Sequence, residues 1–183
     1  AVAVDKEAMF GGWVTTEGET PDEAVHTAAI TYEADANYTV SVSYTDKAGN
    51  HNTAVDAGDS AAPWEFTVDQ TAPTGIVTAR RAEGSKGTQT VTWDNELVDN
   101  LRFGFWSGKT ITVTGKAFDD TSPVASIRYY KTSRRTAMTE RELRNLAEEE
   151  WKDFRKKRVK IVPNEQAAVY VEIMDMAGNV SYI

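Results

Sequence analysis

His26 and His51 are the only histidines in this chain, and it has no cysteine. Those two facts constrain its chemistry more than any motif does. Acid–base catalysis near neutral pH draws most often on histidine, and an activated nucleophile needs a base within hydrogen-bond reach. His26 opens an apolar–polar alternation and His51 follows a turn, so both are expected at rim positions. No G-x-S-x-G, H-E-x-x-H, P-loop or G-x-G-x-x-G segment occurs. The residues therefore predict no enzyme. Without thiols, disulfides and thiolate metal sites are excluded. Calcium takes about six to eight oxygen ligands, and Asp46, Asp69, Asp119, Asp120 and Asp175 all fall at turns or at a segment junction. No D-x-D-x-D run gathers them, and an aspartate before Ala-Gly-Asn already has a role as a turn former. The expectation is no cofactor and no metal, with calcium at the Asp69 junction as the alternative. Lys109, Lys116 and Asn179 are expected to be ordinary solvated side chains.

Binding chemistry has two candidate surfaces. The first is a helix expected over 139–157, about 28 Å long. Thr139 and Glu142 have capping-box spacing, and Leu143, Leu146, Ala147, Trp151 and Phe154 share one side. Arg155 to Arg158 would place cations at the C-terminal end of the dipole. Glu150 falls in the middle of the apolar side and contradicts the pattern. The outer face would carry Arg141, Arg144, Asn145, Glu148, Lys152 and Arg155, either as a solvated cover or as a docking face for a protein. The second surface is 101-LRFGFWSG-108, where Phe103, Phe105 and Trp106 crowd a loop that either plugs a sandwich end or presents a binding patch.

Strands must position these groups. The stretches 40-VSVSYTDKAGN-50 and 169-VYVEIMDMAGN-179 repeat one pattern, an alternating strand running into D-x-A-G-N. They imply the same late strand in two successive β-domains. In the first, a strand is expected at 1–6, a loop over Gly11, Gly12 and 15–23 beside Trp13, and a hairpin of 26–34 with 38–46. The strand 64–69 closes it. Trp64, Tyr38 and Tyr44 there, and Tyr129 and Trp151 later, are expected to pack. The segment 69-DQTAPT-74 reads as a stiff linker because Pro73 forces extended backbone before it. Strands are then expected at 75–81, 89–93, 109–118, 124–132, 158–162 and 168–175. The fold class is mainly β: two tandem sandwiches, 1–72 and 73–183, the second with one inserted helix.

Charge divides between the halves. Residues 1–72 hold 13 Asp/Glu against 2 Lys, and the remainder 18 Lys/Arg against 15 Asp/Glu, giving −11 and +3, which sum to −8. An acidic first half argues against nucleic acid as a partner. No apolar run of about 18 residues occurs, so no helical membrane insertion is expected. The start lacks a basic stretch before an apolar one, and the chain is expected to be an excised part of something longer, acting as a monomer.

The first domain resembles bacterial immunoglobulin-like repeats of large cell-surface proteins from gut Firmicutes, through Trp13, 26-HTAAITYEADANYTVSVSYTDKAGN-50 and 64-WEFTVDQTAPT-74. The second resembles a helix-containing variant of such repeats, through 109-KTITVTGKAFDDTSPVASIRYYKT-132, Trp151 and 168-AVYVEIMDMAGNVSYI-183. Against that pattern the first domain lacks its first strand and the second its last. The resemblance implies an extracellular, wall-associated adhesin segment. It implies binding of a host protein, with an immunoglobulin variable domain bound in superantigen fashion as the most concrete ligand. A passive stalk and a carbohydrate-binding module using Phe103, Phe105 and Trp106 are the alternatives.

Overall fold

The structure, a computed structural model, describes residues 8–18, 24–40, 42–54, 64–81, 90–94, 110–154 and 158–183. The strand expected at 1–6, the loop 101–108 with Phe103, Phe105 and Trp106, and Arg155 lie outside the described residues. The chain is mainly β, every described strand pairing is antiparallel, and two compact units divide it, Ala1–Gln70 and Thr71–Ile183.

In the first unit, β1 (Met9–Glu17) pairs with β2 (Ala24–Thr31). The glycines expected in a loop sit inside β1, where the register shifts between Phe10 and Trp13 and Gly12 takes φ 79°. A glycine pair inside a strand is the usual mark of a bulge, which absorbs an extra residue without ending the ladder. The hairpin expected from 26–34 and 38–46 does not form. Instead β3 (Ala36–Val40) pairs with the distant β6 (Trp64–Val68), and β4 (Val42–Thr45) pairs with β5 (His51–Ala54). Tyr38 is the buried centre of the β3–β6 pair, its ring 4.6 Å from Tyr32 and 5.7 Å from Phe66, and its hydroxyl donates to the Ala34 carbonyl at 2.7 Å. Trp13, by contrast, is 58% exposed.

The second unit holds two four-stranded sheets. One has the order β12 (Val159–Ile161), β9 (Ile111–Phe118), β7 (Thr74–Arg81), β8 (Thr90–Asp94). The other runs β11 (Lys152–Asp153), β10 (Val124–Thr132), β13 (Ala168–Asp175), β14 (Val180–Tyr182). Inward residues of both sheets meet in one core: Val77, Ala79, Ile111, Val113 and Val159 against Val171, Ile173 and Ile183, with Phe154 among them. This is the layering of a β-sandwich. Close approach demands Gly75, where a Cβ would lie 2.2 Å from Ile173 Cδ1 and 3.0 Å from the Lys116 carbonyl. The repeated D-x-A-G-N segments fold alike, as one pattern should. In each the Asp N–H donates to the Asn carbonyl (2.9 Å at 46–50, 3.1 Å at 175–179). The Asn N–H returns to Asp Oδ1 (2.8 and 2.9 Å), and glycine takes φ 88° and 93°. Past the second turn β14 adds to β13, where no further strand was expected, and Ile183 exchanges two backbone bonds of 2.9 Å with Val171.

Candidate functional site

Between β10 and β11 the chain leaves the sheet for residues 133–151 and covers the sheet's outer face. Alternation along β13 explains why a cover is needed. Val171 and Ile173 point into the sandwich core, while Ala168, Tyr170 and Glu172 point outward yet are equally buried. Met138, Leu143 and Trp151 bury that outward face together with Tyr182, Leu143 being fully enclosed.

Among the described residues, the expected helix of 139–157 is present only as α1 (Glu140–Arg144), followed by a 3-10 turn, Glu148–Glu150. The capping box is as expected: Thr139 Oγ1 accepts from the Glu142 N–H, and the Glu142 carboxylate accepts from the Thr139 N–H at 2.8 Å. That bond, with Arg134 donating at 2.7 Å, holds the Glu142 carboxyl down at about 2. Asn145 then bonds back to Glu142 in a tightened last turn, and the helix ends. Continuing it would leave the edge of β10 without partners. Instead Trp151 to Phe154 extend along that edge, Lys152 opposite Tyr129 and Asp153 opposite Arg128, and the Phe154 N–H donates to the Ile127 carbonyl at 2.9 Å. The apolar residues are buried as the spacing suggested, but in two different cores: Leu143 and Trp151 outside the sheet, Phe154 inside the sandwich. Glu150, the misfit on a helix, is simply exposed in the 3-10 turn.

A charged network pins this cover. Glu172 is 5% exposed, and its Oε1 accepts from Arg128 Nε at 2.9 Å and Nη2 at 2.5 Å, while Tyr182 donates its hydroxyl to Oε2 at 3.0 Å. The Arg128 guanidinium lies 5.8 Å from the Trp151 ring centre and also reaches Glu148. Arg144 pairs with Glu140 at 2.6 Å and lies 5.6 Å from the Tyr182 ring. Burial, with Glu172 second, pushes the Tyr182 phenol up to about 12. Its neutral form is thus favoured in the folded state. This contribution to stability is complete below pH 10 and is lost as pH rises toward 12. Denaturant unfolding between pH 9 and 12 should show that decline in the parent and a shallower one in Tyr182→Phe.

The expected partner face is therefore divided. Arg141, Arg144, Asn145 and Glu148 stand exposed on the cover, whereas Lys152 belongs to β11 and lines a cleft. Sequence reasoning missed Arg128, Glu172 and Tyr182. The detectable signal was opposite charge on two strands, since Arg128 and Glu172 are directly opposed across β10 and β13. The histidines are exposed, each with Nδ1 on a threonine hydroxyl, His26 on Thr15 at 2.8 Å and His51 on Thr45 at 3.1 Å. Asp119 accepts from the Thr121 and Ser122 N–H groups at 2.9 and 2.7 Å, a turn-forming role. The Asn179 amide is engaged by Asp175 Oδ2 at 2.9 Å.

No protein-family model, curated protein or solved structure matches this chain.

Proposed function

We propose that the chain is a non-enzymatic segment of a bacterial cell-surface protein, two tandem immunoglobulin-like sandwiches of which the second binds a host protein through the cover between β10 and β11. One observation carries this reading. A stretch of 19 residues outside the sheets (133–151) is held by its own apolar cluster and by the Arg128–Glu172–Tyr182 network, and it presents Arg141, Arg144, Asn145 and Glu148 on its exposed side. A frame already ordered in the free protein loses little entropy on binding, and arginines are favoured at interfaces. The resemblance of the sequence to wall-associated repeats supports the extracellular setting and makes an immunoglobulin variable domain the first partner to test. The reading involves no cofactor and no nucleic acid.

The test presents the immobilised chain to a panel of host serum and mucosal proteins, immunoglobulins first. A partner should be captured, and Arg141→Ala with Arg144→Ala should weaken it about fivefold or more, the effect of losing a central contact. Folding should change by less than about 1 kcal/mol, because both side chains are on the surface. Unchanged affinity in the double variant would move the interface elsewhere. Capture of nothing from the panel would favour a passive spacer.

A further inference from the structure

We infer that the second unit carries an anion-binding cleft, distinct from the Arg141–Arg144 surface, whose ligand is an acidic saccharide. The cleft has a volume of about 510 Å³ and opens at the side of the sandwich, between β10 and β11 of one sheet and β12 of the other. Its lining holds four cations, Lys131, Lys152, Arg158 and Lys160, against one acid, Glu165.

Glu165 is already committed. Its Oε1 meets Lys131 Nζ at 2.5 Å and its Oε2 accepts from the Val162 N–H at 2.9 Å, which holds the carboxyl below the usual carboxylate range. Lys131 also donates to the Lys160 carbonyl at 3.0 Å, so this pair is a neutral strut bridging the two sheets. The turn that delivers Glu165 depends on Asn164, whose φ of 65° places it in the left-handed region that asparagine tolerates. Lys152, Arg158 and Lys160 remain, with no acidic partner among the described residues. Three cations without an acidic partner among the described residues thus share one concavity. Lysines on edge strands commonly block unwanted strand pairing. That role accounts for their exposure on β11 and β12, but not for an arginine and two lysines of two different sheets lining one cavity.

Low-dielectric walls focus the field of such a cleft on an anion. The rest of the lining selects which anion. Ser133 and Gln166 offer a hydroxyl and an amide, able to donate and accept, and Tyr129 forms part of the wall. Donors dispersed around a cavity within the usual range of about 300–1,000 Å³ suit a bulky, hydroxyl-rich anion better than a bare phosphate, which favours convergent backbone N–H groups. A carboxylate or sulfate carried on a sugar ring meets both requirements. Two outcomes of one experiment distinguish the anionic group.

The whole chain is titrated at low salt with a heparin-derived hexasaccharide, a hyaluronan hexasaccharide and neutral maltohexaose, followed by calorimetry. Binding of at least one acidic hexasaccharide and no binding of maltohexaose is expected. A preference for the heparin fragment would name sulfate as the recognised group, and equal binding would name the carboxylate. Arg158→Glu with Lys160→Glu should lower affinity about tenfold or more, and Lys152→Gln alone should lower it measurably. Lys116→Glu, at an exposed position of β9 that does not line the cleft, should change it less than about twofold. Thermal midpoints of all variants report whether folding is intact. The proposal is overturned if neither acidic hexasaccharide binds, if maltohexaose binds as well, or if Lys116→Glu weakens binding as much as the cleft variants do. Because the cleft and the Arg141–Arg144 surface are probed by different variants, either reading can fail alone.

Discussion

Replacing Arg128 with methionine is expected to destabilise the second unit by about 3–5 kcal/mol, the usual consequence of removing one partner from a buried ion pair. Glu172 is the reason. Its side chain is only 6% exposed, and two of its three observed hydrogen bonds come from Arg128. Methionine keeps most of the packing against Trp151 but leaves the carboxylate in an apolar layer with one side-chain hydrogen bond among the described residues, from the Tyr182 hydroxyl. The contact between Arg128 and Glu148 matters far less, because the Glu148 side chain is 80% exposed and such pairs contribute at most about 1 kcal/mol. Glu148→Ala therefore serves as the control. Adding Glu172→Leu to Arg128→Met should restore much of the loss, since the uncompensated charge and not the missing contact dominates it. Urea unfolding of the three variants separates these cases. A double variant no more stable than Arg128→Met would show that the pair contributes through its own attraction.

Much of this architecture is visible in the sequence, and the parts that are not have identifiable causes. Alternation located β7, β9, β10 and β13 to within about two residues, because each has one face turned into the sandwich core. The D-x-A-G-N repeat marked two turns whose hydrogen bonds are the same, since Asp, Gly and Asn each perform a local task there. Partner choice was not legible. Residues 26–34 and 38–46 have hairpin spacing, yet β3 finds β6 some 28 residues away, because pairing is decided by which faces can be buried. The Gly11–Gly12 pair signals loop and bulge equally, and only the pairing of β1 with β2 distinguishes them. The long helix failed for a related reason. Periodicity records that Leu143, Trp151 and Phe154 are buried, but not that they are buried in two cores by a helix, a turn and a strand. Glu150 on the apolar side was the available warning. Of the expected partner face, arginine content and capping were legible locally, whereas Arg128 and Glu172 acquire meaning only once the β10–β13 register is known.

Leu143→Ala is expected to cost about 2–5 kcal/mol of local stability in the cover, as for other enclosed leucines. Leu143 has no exposed surface and packs with Met138, Trp151, Tyr170 and Tyr182. A helix of five residues has no stability of its own in water; tertiary packing must supply it. Here the capping box supplies the remainder, so losing the leucine leaves α1 with little else. The sandwich core does not contain Leu143, and its strands should keep their order. Hydrogen exchange is therefore expected to accelerate over Glu140–Arg144 while β7 and β9 stay protected. Leu143→Met, which conserves volume, should cost less than about 1.5 kcal/mol and spare that protection. If exchange in α1 were unchanged by Leu143→Ala, the cover would be held by its charged network alone. The same variant bears on binding. Leu143 cannot touch a partner, yet if the partner meets Arg141 and Arg144 on a preordered frame, loosening the frame must weaken affinity, because the lost order has to be regained on association. An affinity unaffected by Leu143→Ala, in a protein whose cover has demonstrably loosened, would place the partner on another surface of the molecule.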